Sequence, residues 1–80
     1  MNENTARGLH QARWVEYDEE MELLYAWHGG HTVNVWTLGG MNVDVFSAGS
    51  FEQNEATLEE IKRAISDHMA GDRAPATHDA

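Results

Sequence analysis

Apolar and β-branched residues fall into four short runs: ARWVEY (12–17), MELLYAW (21–27), HTVNVWT (31–37) and MNVDVFS (41–47). Runs of this length, rich in Val, Tyr, Trp and Phe, predict β-strands. They are separated by Asp18-Glu19-Glu20, Gly29-Gly30 and Gly39-Gly40. A Gly-Gly pair between two such runs predicts a tight hairpin, because both central residues of a type I′ turn need positive φ. Two successive pairs predict an antiparallel meander. Beyond Gly49 the period changes. TLEEIKRAISDHM puts Leu58, Ile61, Ile65 and Met69 on one stripe of a helix. Thr57 followed three residues later by Glu60 is a capping-box pattern, with Asn54 the rival N-cap. Glu55, Glu59 and Glu60 suit the positive end of the helix dipole, and Gly71 is placed to end the helix. The predicted fold is α+β: a four-stranded antiparallel β-meander with one C-terminal α-helix packed on one face, in the order ββββα.

Two-residue hairpin loops then assign the faces of the sheet. With Gly29-Gly30 as the loop, His28 lies opposite His31 and Leu24 opposite Val35. With Gly39-Gly40 turning the same way, Trp36 lies opposite Val43 and Asn34 opposite Val45. One face carries Met21, Leu23, Tyr25, Trp27, Trp36, Leu38, Met41, Val43 and Val45, and is the expected seat of the helix. The other carries Leu24, Ala26, Val33, Val35 and Phe46 among polar residues, with no second helix to cover it. Leu24, Val33, Val35 and Phe46 are therefore the predicted interface, for a second copy or another protein. The competing account is that residues 1–11 or the 12–17 strand fold over this face, or that the register differs by one.

The chain has 80 residues, enough for one small domain. Residues 1–11 lack periodicity and read as a flexible arm, residues 12–70 as a single α+β domain, and residues 71–80, with the only proline, as a disordered tail. Fourteen acidic and five basic residues give a net charge of −9. That balance argues against direct binding to nucleic acid, which needs clustered Lys and Arg, and against anionic membranes. No apolar run approaches a membrane span, and the polar start MNENT is unlike a signal peptide, so a cytoplasmic protein is expected. The absence of cysteine excludes disulfides, thiolate nucleophiles and Cys-type zinc sites.

Candidate chemistry is sparse. His28 and His31, flanking a tight turn, would project from one face near enough to share a metal ion, but no third ligand is in reach. An ordinary pair of hairpin histidines is the expected reading, so no metal and no cofactor is predicted. Ser47, Ser50 and Ser66 lack nucleophile elbows and no glycine-rich phosphate loop is present, so no enzyme is expected. The acids cluster at Asp18, Glu19, Glu20 and Glu22 and again at Glu52, Glu55, Glu59 and Glu60. These could stand where nucleic-acid phosphates lie in a partner's binding site, or could simply aid solubility.

WVEYDEEMELLYAWHGGHTVNVW, DVFSAG and the ATLEEIKRAI helix together resemble the small acidic proteins encoded by actinobacterial bacteriophages. The resemblance spans about residues 13–69 and carries no catalytic motif. It implies a phage or prophage accessory product acting on a host protein in the host cytoplasm. The expected function is a non-enzymatic protein–protein interaction module, dimeric through the sheet. The alternative is an acidic nucleic-acid mimic that inhibits a DNA- or RNA-binding host protein.

Overall fold

The computed structural model describes residues 2–73. They form α1 (Glu3–Leu9), β1 (Trp14–Asp18), β2 (Leu23–Trp27), β3 (Thr32–Thr37), β4 (Asn42–Ser47) and α2 (Leu58–Arg73). The strands make one antiparallel sheet in the order β1-β2-β3-β4. The α+β meander with its C-terminal helix is as expected, with a second helix added at the N-terminus.

Helix α2 starts at the predicted capping box. Thr57 N–H donates to Glu60 Oε1 (2.8 Å) and Glu60 N–H to Thr57 Oγ1 (3.2 Å), so two N–H groups at the helix start find acceptors within the box. Ile61 and Ile65 are fully buried against Tyr25, Trp27, Val33 and Val35. Leu58, at the helix start, is 38% exposed, and Met69 is packed at the margin of the core. Gly71 does not end the helix, which continues through it to Arg73. Of the tail expected over residues 71–80, positions 74–80 lie outside the described residues.

The β2–β3 register differs from the expected one by a single residue. Trp27 pairs with Val33, Tyr25 with Val35, and Leu24 with Trp36. Extending that pairing leaves three residues, Gly29, Gly30 and His31, at the tip. Side chains alternate across a strand, so this one-residue slip turns the whole of β3 over relative to β2. Val33 and Val35 therefore join Tyr25 and Trp27 beneath α2, while Trp36 moves to the opposite face with Leu24 and Ala26. The β3–β4 register, Asn34 with Val45, is the expected one, until a bulge between Val35 and Trp36 shifts the pairing so that Trp36 meets Asn42.

The second face is covered, and by the segment expected to be a flexible arm. Asn2 caps α1, its side chain accepting from Asn4 N–H at 2.8 Å. The buried Thr5 hydroxyl donates to Thr37 O (2.8 Å), and Asn2 N–H to Leu38 O (3.3 Å). Gly8 lies flat on the Trp36 indole, where an ideal Cβ would come within 2.5 Å of Cε2. Seven residues are too few for a stable isolated helix, so these tertiary contacts hold α1 in place.

Replacing Gly8 by Ala separates a docked α1 from a free one by the sign of the effect. In a free arm, alanine raises helix propensity by about 1 kcal/mol over glycine. Against Trp36 the added methyl overpacks the contact, with an expected net loss of about 1–2 kcal/mol by urea denaturation. A gain in stability would show that α1 does not rest on Trp36.

Candidate interaction surface

The β2–β3 tip is fastened to the loop that precedes α2. Gly29 and Gly30 take positive φ (114° and 70°), which frees their backbone for close approach. Gly30 N–H donates to Glu55 Oε1 (3.2 Å), Ala56 N–H donates to Gly30 O (2.9 Å), and Trp27 Nε1 also donates to Gly30 O (3.1 Å). Glu55 receives Arg13 as well (2.8 Å), whose guanidinium lies 4.7 Å above the Trp27 ring. The Gly30 N–H, then Arg13, hold the Glu55 carboxyl below its usual pKa.

His31 completes this fastening. Its Nδ1 lies 2.8 Å from Ala48 O and its Nε2 2.9 Å from Gln53 O. Carbonyl oxygens only accept, so both bonds together require both ring nitrogens protonated. The Ala48 carbonyl, then the Gln53 carbonyl, raise its pKa above 6.5, with smaller contributions from Glu60 and Glu55. His28 is directed elsewhere, its Nε2 lying 3.1 Å from His10 O. The two histidines suggested as a metal pair thus each bind main-chain carbonyls, and His31 has no lone pair left for a metal. Among the described residues, no group of three His, Asp or Glu side chains converges, and no cavity of ligand size opens. No helix among them is long and apolar enough to cross a membrane.

A second histidine joins α2 to the sheet. Tyr25 Oη is 2.9 Å from His68 Nδ1, and His68 Nε2 is 2.8 Å from Asp44 Oδ2. One tautomer serves both contacts, with the tyrosine hydroxyl donating to Nδ1 and Nε2–H donating to the carboxylate. Phe46 stacks on the imidazole at 4.5 Å. Asp44 Oδ1 accepts from Val45 N–H (2.8 Å), so the carboxyl pKa is depressed first by His68 and then by this amide.

The predicted interface set does not form one patch. Val33 and Val35 are fully buried under α2 and Phe46 is half-buried beside them, while Leu24 is buried on the other face. The register slip is the cause. The acidic set is also divided. Asp18 is 1% exposed and caps the β1–β2 turn, accepting from Glu20 and Met21 N–H (3.1 and 3.3 Å). Glu55 and Glu60 serve the tip and the capping box, while Glu19, Glu20 and Glu59 are exposed.

The exposed apolar groups lie elsewhere. On the α1 face, Val15 and Tyr17 of β1 flank the helix on one side and Val45 of β4 on the other, with exposures of 40%, 47% and 52%. Val43, Met41, Leu38 and Phe51 are 45%, 65%, 39% and 73% exposed. From His31 to Phe51 the only Asp, Glu, Lys or Arg is Asp44, in a chain with 19 such residues. That gap in charge, read together with an odd large apolar residue at Phe51, was the available signal for this surface. The exposure of Val43 and Val45 follows from the slip and was not visible without it.

Scans against protein-family models, curated proteins and solved structures found no match to the chain.

The His31 contacts have a pH signature. A raised pKa in the folded chain means stabilisation that is complete below 6.5 and fades as pH rises through the folded value. The difference in urea midpoint between the native protein and His31→Ala should therefore shrink as the pH rises above about 6.5. A difference that stays constant or widens would show that the ring is bound in its neutral form.

Proposed function

We propose that this chain is a non-enzymatic protein–protein interaction module, a phage or prophage accessory product that acts on a host protein in the host cytoplasm. The observation that carries this reading is the nearly uncharged β3–β4 hairpin, where Met41, Val43 and Val45 stand exposed, with Phe51 exposed beyond the far end of β4 against the His31 ring. The centres of protein interfaces are depleted in charge and enriched in Met and aromatic residues. Asp44 is the one acid within this surface, and its carboxylate is tied to His68 and to Val45 N–H; the acids outside it suit a rim, where charge governs encounter rate and choice of partner. The resemblance to small acidic phage proteins supports the host-directed part of the proposal.

Mimicry of nucleic acid is the weaker reading. Three of its eight carboxylates are committed within the fold: Asp18 in its turn, Glu55 to Arg13 and Gly30, and Glu60 in the capping box.

Affinity capture from the native host with the full chain as bait separates the two. A partner held through apolar contact is expected to persist at about 0.5 M salt, where exposed charges are largely screened. It should be lost from a Met41→Lys/Phe51→Lys variant at any salt. A partner released by salt, and retained equally by native and variant baits in low salt, would replace this proposal with the acidic mimic.

A further inference from the structure

We propose that the free edge of β4 pairs with the same edge of a second copy, antiparallel about a two-fold axis at Val45, and that Asp44 gates that edge. This rests on the chain being an interaction module and names the occupant of one part of its surface.

The hydrogen-bond phase of the sheet shows what β4 offers. Ala48 N–H donates to His31 O (2.8 Å), which marks His31/Ala48 as a hydrogen-bonded pair. Such pairs alternate along an antiparallel ladder, so Val33/Phe46 and Val35/Asp44 bond across β3–β4 while Asn34/Val45 does not. The N–H and C=O of Val45 therefore point away from the sheet, and those of Ser47 likewise.

The two edges of the sheet are unequally protected. β1 carries Glu16, is bracketed by Arg13, Glu19 and Glu20, and has Lys62 of α2 over its Trp14 ring at 4.5 Å, while its Asp18 is buried in the turn. Charges on an edge strand are a usual defence against strand pairing. β4 has one charge, no Lys and no Pro, and all its residues but Phe46 are exposed.

A second copy fits this edge better than its net charge of −9 suggests. Centred on Val45, the pairing sets Val45 against itself, Val43 against Ser47, and Asp44 against Phe46. The two Asp44 carboxylates are then diagonal neighbours about 7–8 Å apart rather than face to face, near the screening length at physiological salt. Centring on Asp44 would oppose them directly, and centring on Val43 would run into the bulge.

Asp44 supplies the gate. Its Oδ1 occupies Val45 N–H, the donor that pairing requires, while Oδ2 is held by His68. Pairing exchanges that internal bond for one to the second copy's Val45 carbonyl, so the net gain comes from burying Val43 and Val45. The contact belongs at the small end of specific interfaces, below about 1,200 Å² in total, and is correspondingly weak.

Sedimentation equilibrium of the full chain from about 10 to about 500 μM tests this range of affinity. The native protein is expected to show a concentration-dependent monomer–dimer equilibrium. Asp44→Ala should tighten it about tenfold, since each copy loses one competing internal hydrogen bond. Val45→Pro removes an outward N–H that the β3–β4 ladder does not use and should be monomeric with an unchanged far-ultraviolet spectrum. Val45→Lys keeps the backbone intact, sets two like charges on the axis, and should also be monomeric. Native and Asp44→Ala proteins that both remain monomeric, or a Val45→Lys variant that dimerises like the native chain, would overturn the proposal. A monomeric protein that still captures a host partner through Met41 and Phe51 would overturn the pairing alone. A dimer that captures nothing would leave the pairing intact and remove the host-directed reading.

Discussion

The pairing of Trp27 with Val33 governs both faces of this small sheet. Had the strands met one residue earlier, Val33 and Val35 would point away from α2, and Trp36 would have to fit beneath it. The observed register gives α2 a bed of Tyr25, Trp27, Val33 and Val35, with which Ile61 and Ile65 form one buried core. It also places the broad Trp36 indole on the opposite face, where only a residue without a side chain can lie flat upon it. Gly8 meets that demand, and α1 is docked as a consequence.

The register is held in place by polar contacts at the tip. Gly30 N–H is taken by Glu55, and its carbonyl receives both Ala56 N–H and the Trp27 indole. His31 bridges two further carbonyls, and Arg13 links Glu55 back to the Trp27 ring. The tip and the loop before α2 are thus one unit, which sets where the helix begins and how its stripe meets the sheet. Most of the histidine and carboxylate chemistry suggested by the chain is used in this way, in fastening elements together.

The surface on which the proposed interaction rests is set apart by its lack of charge. One edge of the sheet is lined with acids and overlain by Lys62, while the other has Asp44 alone, itself tied to His68 and Val45 N–H. An open edge beside exposed Met41, Val43 and Val45 offers both backbone hydrogen bonding and apolar area, the two ingredients of strand-addition contacts.

The four strands, the meander, the capping box and the buried Ile61–Ile65 stripe were all legible in the chain, because each depends on residues within a few positions of one another. The three-residue tip was not, since Gly29-Gly30 suits a two-residue loop equally well and the choice rests on Glu55 and Ala56, some 25 residues further on. The helix at Glu3–Leu9 was hidden for a related reason: it has no apolar stripe and depends on Trp36, Thr37 and Leu38 for its stability. Local pattern by itself determined which elements exist. Tertiary contact decided which way β3 faces, and so which apolar residues are core and which stand exposed. A strand's period of two makes one residue of register enough to exchange them.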